Sequence, residues 1–82
     1  INIHPSLLPK YKGLNTHIKA IENKDKFAGC TVHYVTEKLD SGKIIMQRKI
    51  KITKKDTPIT LSKKVLKQEH KLYPAAILKI FN

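Results

Sequence analysis

Three side chains in this 82-residue sequence are of the types that carbonyl chemistry and proton transfer require. Asn2 and His4 stand two apart in a loop braced by Pro5 and Pro9. An imidazole exchanges protons near neutral pH, and an amide N–H steadies an oxygen that turns negative as a carbonyl is attacked. Asp40 precedes a Ser-Gly turn, where a carboxylate can orient an imidazole or hold a water. A plainer reading is also open: Asn2 and His4 satisfy loop hydrogen bonds, and Asp40 caps its own turn. Residue type and spacing do not choose between the two. No His-x-x-x-His spacing occurs, and the single cysteine, Cys30, excludes an internal disulfide framework or a multi-cysteine zinc site. No metal is expected.

The elements that must position these residues are legible as a short α/β series. Residues 1–15 hold two prolines and one glycine, so they predict an ordered coil leaving a strand that lies mostly upstream. Thr16 is expected to cap a helix through Asn23, with Ile18 and Ile21 three apart on one face. After Gly29, alternation places Cys30, Val32 and Tyr34 on one side of a strand and Thr31, His33 and Val35 on the other. Residues 37–43 form a tight connection. A second, half-buried strand near a sheet edge turns Ile44, Met46, Ile50 and Ile52 inward and Gln47, Lys49 and Lys51 outward. Thr57-Pro58 starts a helix whose Leu61, Val65, Leu66 and Leu72 recur at helical spacing. Pro74 predicts a kink or break, followed by a short turn built on Ile77, Leu78 and Phe81. The order is coil, helix, strand, strand, helix: one α/β segment over residues 1–82 whose sheet is incomplete.

Composition narrows the class further. The chain is 40% apolar, its apolar stretches fall far below the roughly 20 residues that span a bilayer, and no secretory segment opens it. A cytoplasmic protein without a membrane partner fits best. The net charge of +11 is lopsided, +2 over residues 1–41 and +9 over residues 42–82. The basic residues are sixteen lysines and one arginine, Arg48, with no interleaved aromatics. Base readout favours arginine forks, so specific nucleic-acid binding is not expected. A chain of this size buries only about 60–65% of its extended surface, a thin margin for folding alone.

The run NIHPSLLPKYKGLNTH at residues 2–17 and the run GCTVHYVTEKLDSGKII at residues 29–45 resemble the two hallmark segments of the phosphoribosylglycinamide formyltransferase family. EHKLYP, at residues 69–74, is similar to the family's C-terminal helix. The resemblance covers almost the whole chain and implies the C-terminal portion of a Rossmann-like formyltransferase domain. It implies formyl transfer from 10-formyltetrahydrofolate, as cosubstrate, to the amine of glycinamide ribonucleotide in purine biosynthesis. Asn2, His4 and Asp40 match the family's catalytic residues. Glu37, Leu39 and Asp40 fall on the loop that lines the folate pocket, while His33 and Ser6 match supporting positions. His17 and His70 carry no such role. The N-terminal half, with its phosphate-binding loop, is then a missing partner, and the isolated piece is expected to be inactive or barely active. Two alternatives stand beside this reading. One is a non-catalytic structural or interaction fragment pairing through an exposed sheet edge. The other is a methionyl-tRNA formyltransferase relative, although the KYKGLNTH loop departs from that family's pattern.

Overall fold

The computed structural model describes residues 1–82. Its elements are β1 (Asn2–His4), α1 (Thr16–Glu22), β2 (Phe27–His33), β3 (Ile44–Lys51) and α2 (Pro58–Phe81). The three strands form one antiparallel sheet in the order β1-β2-β3. The opening segment is therefore not all coil, since Asn2–His4 pairs with β2 as a third strand.

As the central strand, β2 is buried on both sides. Cys30 and Val32 point into a core completed by Ala20 of α1, Ile45 of β3 and Leu61, Val65, Leu72 and Ala76 of α2. Thr31 and His33 point the other way and are just as buried, Thr31 beneath the loop that follows β1 and His33 beside Tyr34 and Asp40. The alternation of that strand holds through His33. Tyr34 and Val35 lie beyond its end and are exposed.

Several expectations fail, each for a local reason. A bulge after Val32 pairs His33 with Ile44, so Ile45 enters the core and Ile44 is exposed. One extra residue is enough to reverse the side of every residue beyond it. The cap of α1 is Asn15, in left-handed backbone and without a side-chain cap bond, while Thr16 is the first helical residue and is buried. Thr16 and Ala20 therefore form the inner face, and Ile18 is exposed. Helix α2 runs unbroken through Pro74. Leu72 and Ala76 are both fully buried, and their packing holds the helix on either side of the proline. The inner face of α2 is Leu61, Val65, Leu72 and Ala76, and Leu66, Leu78 and Phe81 are exposed. The start of α2 is as expected: Thr57 is the cap ahead of Pro58, and it forms a reciprocal capping box with Thr60.

Candidate active site

Antiparallel pairing brings the sequence-distant candidates together. Asn2 lies opposite His33, and His4 lies opposite Thr31. Alternation puts all four on the side of the sheet away from α2. Asp40 arrives from the β2–β3 connection. Its Oδ2 lies 3.4 Å from His4 Nδ1, and its Oδ1 lies 3.7 Å from His33 Nε2. The carboxylate thus sits between two buried imidazoles and is itself only 8% exposed.

Loop geometry fixes the carboxylate. The backbone of Asp40 is left-handed at φ 47°, and the N–H of Gly13 donates to its Oδ2 at 2.8 Å. Gly13 is also left-handed, at φ 87°, a conformation that favours glycine. Two residues after Asp40, the chain presses against Tyr34: a Cβ on Gly42 would lie 1.5 Å from the Tyr34 carbonyl oxygen. Gly42 therefore permits the crossing that folds the Asp40 loop back onto the sheet.

The histidines are pinned by main-chain carbonyls. His4 Nε2 lies 2.7 Å from the carbonyl oxygen of Tyr11, and His33 Nδ1 lies 3.0 Å from that of Tyr34. A carbonyl only accepts, so each of these nitrogens carries a proton, and the other nitrogen of each ring is turned toward Asp40. His33 Nε2 is the one buried side-chain nitrogen or oxygen without a hydrogen-bond partner. By contrast, the Asn2 side chain is exposed and makes no hydrogen bond within the chain, so its amide is free to donate.

The loop over His4 is held by residues that the sequence reading passed over. Thr31 Oγ1 donates to the Ser6 carbonyl at 2.7 Å and accepts from the Leu8 N–H and from Gln47 Nε2. Gln47 also donates to the Leu8 carbonyl. Ser6, expected at a supporting position, donates its hydroxyl to the Lys10 carbonyl at 2.6 Å. A threonine buried in the middle of an apolar strand was the available signal, because a buried hydroxyl must find partners. The contacts made by Gly13 N–H and Tyr11 C=O carry no residue-type signature.

Glu37 and Leu39, the other two residues expected at a folate wall, lie exposed on the connection beside Asp40. His17 is half-buried, and burial lowers its pKa below the ordinary imidazole value, which suits a neutral ring. The Cys30 thiol is pushed up to about 11, first by burial and then by the charge of Glu69, and it packs as a small apolar side chain. His70 is exposed. His4 lines one surface concavity, together with Gly13, Leu14, Thr16 and Pro58, whereas Asn2, His33 and Asp40 line none of the five.

Fold and cluster together define an α/β segment that carries a buried His–Asp–His centre at the open side of an antiparallel sheet. The family model described as formyl transferase matches residues 1–77, and the chain belongs to that family. It is 48% identical over 77 residues to phosphoribosylglycinamide formyltransferase of Escherichia coli, covering 94% of this chain and 36% of that protein. It is 49% identical over 77 residues to the human trifunctional purine biosynthetic protein adenosine-3, covering 94% of this chain and 8% of that protein. The crystal structure of phosphoribosylglycinamide formyltransferase from Bacillus halodurans superposes with a TM-score of 0.93 at 46% identity, covering 99% of this chain and 42% of the other. The chain thus spans well under half the length of these relatives. No helix is long and apolar enough to cross a membrane.

Proposed function

We propose that this chain carries the catalytic segment for formyl transfer from 10-formyltetrahydrofolate to the amine of glycinamide ribonucleotide. The observation that carries the reading is the Asp40 carboxylate held between His4 and His33, on the side of the sheet that also bears Asn2. In the reaction, the amine nitrogen bonds to the formyl carbon and the carbonyl oxygen becomes an oxyanion. The bond from that carbon to N10 of the folate then breaks, and a proton passes from the amine to N10. The free amide of Asn2 donates to the oxyanion, an interaction worth roughly 3–4 kcal/mol in comparable sites. His4, with both nitrogens turned to protein oxygens, acts through Asp40. Asp40 holds His4 and the water that relays the proton, and proton relay of this kind contributes about 10²–10⁴-fold. His33 supports Asp40 from its far side. Glu37 and Leu39, exposed beside it, face the folate.

The same reading assigns the opposite wall of the site to the N-terminal region that the relatives possess. Much of catalysis is positioning, and a misplacement near 1 Å costs about 10²-fold. The 82-residue chain alone is therefore expected to transfer no measurable formyl group. Joined to the N-terminal region of the Escherichia coli relative, it is expected to do so, and His4→Ala in that fusion is expected to abolish turnover. Turnover by the isolated chain equal to that of the fusion would remove the positioning argument, and an active His4→Ala fusion would remove the assigned role.

A further inference from the structure

A chain of contacts leads away from His4 to the end of α1. Tyr11 has left-handed backbone at φ 56°, which is disfavoured for a bulky side chain and persists where surrounding contacts over-determine it. Those contacts are present. The Tyr11 hydroxyl donates to Asp25 Oδ2 at 2.6 Å and accepts from Asn23 Nδ2 at 3.0 Å. Asp25 is further held by Lys10 Nζ at 3.5 Å from its Oδ1. With the ring anchored there, the carbonyls of two successive residues receive side-chain donors from the β1 side. Lys10 C=O accepts from the Ser6 hydroxyl, and Tyr11 C=O accepts from His4 Nε2. Two residues further on, Gly13 N–H holds Asp40. One short loop thus grips both His4 and its carboxylate.

We propose that Tyr11 and Asp25 are positioning residues for His4: by holding the Tyr11 carbonyl against Nε2, they keep the fixed proton there and leave the exchangeable one to Nδ1, facing Asp40. Without that carbonyl, a neutral imidazole beside a carboxylate prefers to donate from the nitrogen nearest it, which is Nδ1. The fixed proton would then sit against Asp40, and Nε2 would be the site of exchange. The other charged groups acting on this ring are His33, across Asp40, and Glu69 of α2, whose charge is coupled to His4. Neither of them contacts Nε2. The inference rests on the catalytic reading of His4 for its consequence, but its test reads the ring directly.

The test is two-bond nitrogen–proton correlation NMR of the histidine-labelled chain, recorded at a pH where His4 is neutral. It is run on the 82-residue chain and on its fusion to the N-terminal region of the Escherichia coli relative. The expected result is a protonated Nε2 and a bare Nδ1 in the parent. Tyr11→Phe and Asp25→Asn are expected to move the neutral ring toward the Nδ1-protonated form. In the fusion they should slow turnover roughly tenfold with KM little changed, as loss of a partner that orients an imidazole does. A parent ring protonated on Nδ1 overturns the proposal, and that result needs no variant to fold. Folded variants with the parent's tautomer overturn it as well. A Nε2-protonated parent ring in a fusion that transfers no formyl group would support the positioning and count only against the catalytic reading.

Discussion

Asp40 is the residue on which the site turns, because it alone reaches both buried imidazoles. Its importance was legible only in part. An aspartate before Ser-Gly reads equally well as a turn cap, and the family motif, not the spacing, singled it out. The pinning of each histidine by a main-chain carbonyl was not legible at all, since any residue type supplies a carbonyl. For Asn2, the freedom of its amide predicts that Asn2→Ala in the fusion loses about 10²–10³ in kcat, as removal of one oxyanion donor does elsewhere. Steady-state kinetics check it, and an unchanged kcat would show that Asn2 faces no developing charge. Asp56 offers a separate residue-scale test. Hydrogen bonds from the Lys64 ammonium and the Thr53 N–H, with Thr60 adding a weaker one, hold its carboxyl well below the usual carboxylate range. A depressed carboxylate pKa stabilises the fold fully above the unfolded value near 3.9, and that stability is lost as pH falls through the folded value. Asp56→Asn should therefore lower Tm at pH 7, and the gap from the parent should close progressively below about pH 4. A gap that widened on acidification would contradict the assignment.

At the scale of elements, the start of α2 was the most legible feature. Thr57 ahead of Pro58 has a local chemical meaning that no tertiary contact needs to supply, and the capping box formed. Thr57→Ala should cost about 1 kcal/mol, measurable as a shift in urea midpoint. The inner faces of α1 and β3 were less legible, because tertiary packing chose Ala20 over Ile18 and a bulge chose Ile45 over Ile44. Periodicity cannot register an inserted residue. Pro74 misled in the opposite direction, since Leu72 and Ala76 pack the helix on both sides of it. The β2–β3 connection is fixed by Gly42, where any side chain meets the Tyr34 carbonyl. Gly42→Ala should destabilise by roughly 1–3 kcal/mol, as overpacking of a close-packed site does. It should also withdraw Asp40 from the histidines, seen as a change in both imidazole spectra. A variant with parental stability and spectra would show that the loop is not held at this crossing.

For the whole molecule, three antiparallel strands and two helices form a core, and the candidate residues lie on the side of the sheet away from α2. Strand β1 pairs only with β2, so its other edge is free, and Ile1, Leu66 and Ile77 are exposed. A free sheet edge is a template for further pairing. The relatives are more than twice as long as this chain, and the proposed site needs the wall that their additional length would provide. From the lysine-rich surface, Lys12 donates to the Ser41 hydroxyl beside Asp40, and Lys10 holds Asp25. The catalytic assignment is tested most directly by formyl transfer from 10-formyltetrahydrofolate to glycinamide ribonucleotide, measured for the fusion with the Escherichia coli N-terminal region and for its Asp40→Asn variant. The expected result is turnover in the fusion and a loss of about 10²–10⁴-fold in the folded variant. Undiminished turnover with asparagine at position 40 would contradict it.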